Sequence, residues 1–165
     1  MDNQQATLIE ISWLAGIWDG EGTIGVRNNT KIKQFSPRMH VVNTNPLIMQ
    51  KVFEIVEKLG ITPYFREKDA GEFGVKQCWV IGVDTLTKSK VLLDAMLPYL
   101  VGKKPQAEML LKFVESRLER FDRTKANCDK GYTQDDLDTV KAVYELNGNQ
   151  RRVPRDYTLR PSQRV

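Results

Sequence analysis

Asp19 and Glu21 stand at the end of a stretch, Leu8 to Trp18, in which Leu8, Ile11, Leu14, Ala15 and Trp18 recur at helical spacing. The C-terminal end of a helix carries partial negative charge and favours cations, so two carboxylates there lose stability unless a positive partner holds them. A hard divalent cation such as Mg²⁺ suits that place, because it binds one or two carboxylates together with water and phosphate oxygens. A second wrong-signed terminus follows at Lys103 and Lys104, which open a helical stretch running through Leu110, Leu111, Phe113, Val114 and Leu118. The positive start of a helix repels each lysine by a few tenths to about 1 kcal/mol. Cations held there call for an anion, and a scissile phosphate is a candidate, since a positioned lysine stabilises charge on a transferring phosphoryl group. A solvated helix end and a surface pair of lysines are the plain alternatives.

Composition narrows the chemistry. With one histidine, His40, a histidine-based metal site or a Ser-His-Asp triad is nearly excluded. Cys78 and Cys128 are too few for a disulfide framework or a zinc cluster and read as free thiols in a reducing compartment. No apolar run is long enough to span a bilayer, and Met1-Asp2-Asn3-Gln4-Gln5 lacks the cationic start of a signal peptide. A soluble intracellular protein with no membrane partner is expected. The 165 residues fit one domain with a workable core, 1–148, followed by a basic extended tail, 149–165. That tail holds five arginines against Asp156, five minus one, a local excess that equals the net charge of +4 for the whole chain. Segregated positive charge suits a polyanion or an anionic membrane surface, and a disordered solubilising tail has the same composition.

The elements that must position these groups follow from periodicity. Leu8 to Trp18 is apolar on nearly every side, with Ile9, Trp13 and Ile17 on the remaining faces, and predicts a helix buried nearly all round. Gly16 and Gly20 lie four apart on one face, where they would let another backbone come close. Thr23 to Asn28 alternates, Ile24 and Val26 against Thr23, Gly25 and Arg27, and Asn28 to Lys31 reads as a turn or loop. A second strand from about Ser36 to Asn43 sets Met39 and Val41 against Ser36, Arg38, His40 and Val42. Asn45-Pro46 starts a helix that closes at Gly60. A second hairpin, Thr62 to Lys68 and Lys76 to Val83 around an Asp69–Gly74 loop, repeats the split: Tyr64, Arg66 and Lys68 share one parity, and Lys76 and Cys78 oppose Trp79, Ile81 and Val83. Helices follow over Leu86 to Met96, from Lys103 onward, and from a capping box at Thr133-Gln134-Asp135-Asp136 to Gly148, the last with a packing role. Two strand pairs, each with an apolar and a cationic face, suit one antiparallel sheet with helices under one side and a polyanion groove on the other. An ordinary solvated sheet face has the same pattern.

Leu14-Ala15-Gly16-Ile17-Trp18-Asp19-Gly20-Glu21-Gly22 resembles the signature nonapeptide of the LAGLIDADG homing endonucleases. It agrees at Leu14, Ala15, Gly16, Asp19 and Gly22, has glycine for alanine at Gly20 and glutamate for aspartate at Glu21, and departs conservatively at Trp18. The nonapeptide occurs once, as in the single-motif members that act as homodimers. The resemblance implies an α+β fold of order αββαββα, with a four-stranded antiparallel saddle-shaped sheet and helices on its convex face.

The resemblance also implies a site-specific endonuclease that makes metal-dependent double-strand breaks at a long pseudo-palindromic target and promotes intron or intervening-sequence homing. Double-stranded DNA and a second copy of the chain would be its partners, with no small-molecule substrate. Glu21 from each copy, helped by the Gly20 carbonyl, would hold Mg²⁺, with Mn²⁺ or Ca²⁺ able to occupy the site. Asn45 matches a polar residue that orients water in the family, although a helix cap explains it equally well, and Lys103 matches a lysine near the cleavage point. Ala15, Gly16, Asp19 and Gly20 would meet the second copy, with Asp19 in a structural role. Thr23, Gly25, Arg27, Asn29, Ser36, Arg38, His40, Tyr64, Arg66, Lys68 and Lys76 would face DNA. The rival is a non-cleaving nucleic-acid binder of the same fold, an intron RNA maturase or a DNA-binding regulator. A basic scaffold that oligomerises through the first helix is a third reading.

Overall fold

The computed structural model describes residues 5–31, 34–68, 76–120 and 131–148. Its elements are α1 (Leu8–Glu21), β1 (Gly22–Asn29), β2 (Gln34–Asn43), α2 (Pro46–Lys58), β3 (Tyr64–Lys68), β4 (Cys78–Val83), α3 (Leu86–Met96), α4 (Lys104–Arg120) and α5 (Gln134–Leu146). The strands form one open antiparallel sheet in the order β1-β2-β4-β3. The α+β order expected from sequence is therefore present, with α4 and α5 after it. The tail 149–165, the Asp69–Gly74 loop and Cys128 lie outside the described residues. Among the described residues no helix is long and apolar enough to cross a membrane.

Local chemistry sets the helix ends. Thr7 Oγ1 accepts from the Glu10 amide at 3.2 Å, and the Glu10 carboxylate accepts from the Thr7 amide at 3.1 Å, which starts α1 with a reciprocal cap. The same carboxylate takes Lys51 Nζ at 2.9 Å and Lys58 Nζ at 2.8 Å from α2, so one side chain joins the two helices. The Lys58 and Lys51 bonds, then the Thr7 amide, hold Glu10 down to about 2. Thr133 and Asp136 form the expected capping box on α5. Asp136, whose side chain is fully buried, also receives Arg120 and Ser116 of α4, which clamps those two helices together.

Strand bounds differ modestly from expectation. β1 takes in Gly22 and Asn29, and β2 begins at Gln34, two residues early, because the two run in register from Gly22↔Val41 to Asn29↔Gln34 and pairing fixes their length. β3 and β4 start two residues late for the same reason, at Tyr64 and Cys78. Pro37 falls inside β2, which is central in the sheet. It is tolerated because β4 pairs only with Met39 to Asn43, so β2 has one neighbour at Pro37.

α1, α2, α3 and α4 cover the sheet face that carries Ile24, Met39, Val41, Ile81 and Val83, all of them buried. Trp18 and Leu14 of α1 are fully buried against that face with Val52, Leu92 and Leu110. The helix then passes into β1 without a loop, and Gly22 makes that possible. A Cβ there would stand 2.7 Å from the Trp18 carbonyl oxygen and 2.8 Å from the Trp18 Cα, both backbone atoms that cannot swing aside. Gly22→Ala is expected to lower stability by about 1–3 kcal/mol, as overpacking does, and urea denaturation of the two proteins measures it.

Candidate functional site

The face of the sheet away from α1 to α4 is assembled by register. Thr23, His40, Gly82 and Tyr64 form one row across all four strands, Gly25 pairs with Arg38, Arg27 with Ser36, and Lys68 with Cys78. Asn29 and Arg66 fall on the same parity, and Lys76 continues that of β4 just before the strand begins. Ten of the eleven residues expected on the cationic side therefore share one side of the sheet, and Lys76 lies just outside it, two residues before β4. Hydrophobic alternation carried that information because a strand's side chains alternate with a period of two.

Two contacts shape this face. Gly82 carries no side chain, and a Cβ would meet the Tyr64 hydroxyl and ring and lie 2.7 Å from the Met39 carbonyl, so the Tyr64 ring lies across the strand. The Arg66 guanidinium stands 5.1 Å from the centre of that ring, within cation–π reach. His40, in the same row, is half-buried and its Nδ1 is buried without a hydrogen-bond partner. Burial first, then the charges of Arg38 and Lys68, depress His40 to about 4, so it is neutral at pH 7.

That depression has a thermodynamic sign. Between about pH 6.5 and pH 4 the unfolded chain binds a proton that the folded chain refuses, so stability falls as the pH falls through that window. With screening by solvent allowed for, the loss is expected to be on the order of 1–2 kcal/mol. Denaturant titrations at pH 7 and pH 4.5 measure it, and His40→Gln should flatten the difference.

The helix end that bears Asp19 is tied to the start of α4. Asp19 Oδ2 accepts from the Val101 amide and Oδ1 from the Lys103 amide, each at 2.8 Å, while Lys103 Nζ donates to the Asp19 carbonyl. Burial raises the Asp19 carboxyl, but the amides of Val101, Lys103 and Gly102 and the Lys103 charge outweigh it and bring the group below its usual range. The two wrong-signed termini thus answer each other. A carboxylate from α1 sits at the positive start of α4, and an ammonium from the start of α4 sits at the negative end of α1. The inference that both anomalies require outside ions is corrected to that extent: the Asp19 and Lys103 charges have an internal account. Among the described residues Glu21 and Lys104 have none. Glu21 is exposed and has no hydrogen bond or ion pair among the described residues.

Topology brings three groups to this end of the sheet. Glu21 directly precedes Gly22, the partner of Val41, while Asn45 follows the end of β2, and Lys103 is bound to the main chain two residues before Glu21. Asn45 caps α2: its Oδ1 accepts from the Leu47 amide at 3.0 Å and the Ile48 amide at 3.4 Å. Among the described residues no three His, Cys, Asp or Glu side chains cluster around a common point. An exposed carboxylate beside the carbonyls of a helix C-terminus is nevertheless a hard oxygen donor set, and Mg²⁺ needs only one or two protein carboxylates. The residues present fit that ion.

α1 is not buried all round. Leu8 and Ile9 are 70% and 81% exposed, Trp13 is 37% exposed, and Gly16 and Gly20 are open on the same side. A Cβ on either glycine would meet nothing within 4 Å, so the close approach that glycines permit is not made inside the chain. Apolar periodicity shows that a face avoids water; it does not show whether the cover comes from the same chain. Of the four residues expected to meet a second copy, Gly16 and Gly20 lie on this bare stripe. Ala15 is fully buried in the chain's own core, and the Asp19 carboxylate is spent on α4. Ile9 and Trp13 occupy the stripe instead, and the spacing 9, 13, 16, 20 was the signal that could have found them.

An open four-stranded antiparallel sheet with an acid-ended helix running straight into its edge strand defines the homing-endonuclease class of α+β folds. The chain belongs to the LAGLIDADG-like domain family, whose model matches residues 9–93. Among solved structures it is similar to the homing endonuclease I-CvuI in complex with its target, with 20% identity over 86% of this chain and 82% of that one and a TM-score of 0.61. It is also similar to the archaeal intron-encoded homing endonuclease I-Vdi141I complexed with DNA, at 17% identity over 94% and 92% of the two chains, TM-score 0.62. The LAGLIDADG homing endonuclease I-GzeII, in complex with a DNA target, matches at 11% identity and TM-score 0.57, and there the chain spans 43% of the larger protein. At these identities the likeness is one of fold. No curated protein sequence matches the chain.

Proposed function

We propose that the protein is a homodimeric, divalent-metal-dependent DNA endonuclease that makes a double-strand break at a long pseudo-palindromic site and so promotes homing of an intron or intervening sequence. One observation carries this: a bare apolar stripe notched by Gly16 and Gly20 leads straight to Glu21, which has no partner among the described residues, at the edge of a cationic sheet face. Two α1 helices crossing at those glycines on a two-fold axis form an isologous contact and bring both Glu21 carboxylates together. Side by side without cations, the carboxylates repel each other. Glu21 of each subunit and the Gly20 carbonyl would hold Mg²⁺, which, when bound, supplies positive charge to the attacking and leaving oxygens of phosphodiester hydrolysis.

The chain's own groups do the rest. Lys103 keeps two N–H donors after its bond to the Asp19 carbonyl and directs them at the phosphate, stabilising its developing charge. The Asp19 carboxylate fixes the backbone from which Lys103 projects. Asn45 orients a water through its amide nitrogen, since its oxygen is used in capping. Arg27, Arg38, Arg66, Lys68 and Lys76 contact phosphates, while Thr23, Gly25, Asn29, Ser36, His40 and Tyr64 lie along base edges. The test is incubation of the full chain with a plasmid carrying the junction at which its own gene is inserted. Linear product with Mg²⁺, none with EDTA, and short 3′ overhangs on sequencing the ends are expected. Tight binding with no linear product under any divalent metal would overturn the reading.

A further inference from the structure

The two faces of β3 differ in kind. Arg66 and Lys68 belong to the cationic side of the sheet, while Phe65 and Glu67, paired with Ile81 and Trp79, belong to the helix side. α2 packs on β2 and β4 rather than over β3, the edge strand, and Phe65 is left 54% exposed. Between α2 and the two outer strands runs a groove of about 370 Å³ lined by Pro46, Met49, Phe53, Phe65 and Trp79, with Gln50 and Glu54. Aromatic side chains and methionine are the residues enriched where proteins meet, and an apolar patch left bare on a folded chain marks such a contact.

The charge around the groove says what fills it. Glu54 lines it, Glu57 follows three residues on along the same side of α2, and Glu67 pairs with Trp79 on the helix side of β3. All three carboxylates are exposed. Glu54 accepts from the Gln50 amide at 3.0 Å and Glu67 from the Gln77 amide, neutral donors that leave the negative charge standing. The lysines of α2 are committed elsewhere: Lys51 and Lys58 both reach Glu10 of α1. Among the described residues no Lys or Arg lines the groove. Carboxylates around an apolar trough repel a nucleic-acid backbone and attract a cationic partner.

We propose that the groove between α2 and the β3 edge docks a segment of another protein in which a large apolar side chain is flanked by Lys or Arg. The apolar anchor fills the space beside Phe65 and Trp79, and the flanking cations meet Glu54, Glu57 and Glu67. The groove lies on the opposite side of the sheet from the cationic face, so occupying it leaves that face free, and the inference stands apart from the DNA reading. A display library of random dodecapeptides selected on the full chain tests it. The expected consensus is Trp, Phe or Leu with Lys or Arg on either side. A synthetic peptide of that consensus, followed by fluorescence anisotropy, should bind Phe65→Ser about thirtyfold more weakly, the scale of a lost buried anchor. Glu54→Lys/Glu67→Lys should weaken it about tenfold, a loss that shrinks at high salt. Because these side chains are exposed, both variants should keep the wild-type melting curve and affinity for duplex DNA. A library that yields no apolar and basic consensus, or a consensus peptide that binds both variants as tightly as the wild type, would overturn the proposal. Sedimentation showing self-association that Phe65→Ser abolishes would overturn it in favour of a second copy of the chain.

Discussion

On the proposed function, Glu21→Gln is expected to leave DNA binding in place and to lower Mg²⁺-dependent cleavage by ~10³-fold or more, the scale seen when a preorganised charge stabiliser is lost. The substitution keeps the size of the side chain and removes only its charge. Inside the chain that charge has no partner among the described residues and lies at the negative end of α1, so the fold does not need it. Removing it is expected to raise thermal stability slightly, by a few tenths to about 1 kcal/mol. More stability with no cleavage separates a functional carboxylate from a structural one. Linearisation rates, binding by fluorescence anisotropy and melting curves on the same preparation measure all three. Cleavage within tenfold of wild type would remove Glu21 from the chemistry.

Gly16→Leu has the second large effect. Nothing in the chain lies within 4 Å of a Cβ at Gly16, so the isolated subunit accommodates the new side chain. It should also gain stability, because glycine in a helix interior costs about 1 kcal/mol relative to alanine and leucine is nearly as good a helix former. Two helices crossing at that glycine cannot accommodate it. Sedimentation should therefore show a folded monomer, with cleavage lost and the melting temperature of the subunit unchanged or raised. A variant that remains dimeric and active would place the contact between copies elsewhere on the surface.

The legible and illegible parts divide by physics. Strand parity was legible, which is why Arg27, Arg38, Tyr64 and Lys68 share one face as alternation predicts. Caps were legible at Thr133 and Asn45, where the signal is a local residue type. The partners of Asp19 were not. The dipole argument treats each helix end alone, whereas the amide of Lys103 lies 84 residues away and only tertiary structure brings it to that carboxylate. The bare side of α1 was hidden because Ile9 and Trp13 look like core residues by type. The hydrogen bond from Asn147 to the Ile24 carbonyl was hidden because the periodicity of α5 fixes its buried face, not where its last turn comes to rest.

The two-way bond between Asp19 and Lys103 separates what can drift from what cannot. It fastens Lys103 to the end of α1 and leaves the outward side chains of Thr23, Arg38 and Tyr64 outside the fastening. On the proposed function, substitutions of those outward side chains can accumulate as a host sequence diverges while the tie between the end of α1 and the start of α4 stays in place. A nuclease of the proposed kind can be retargeted one strand position at a time without relearning how to cut.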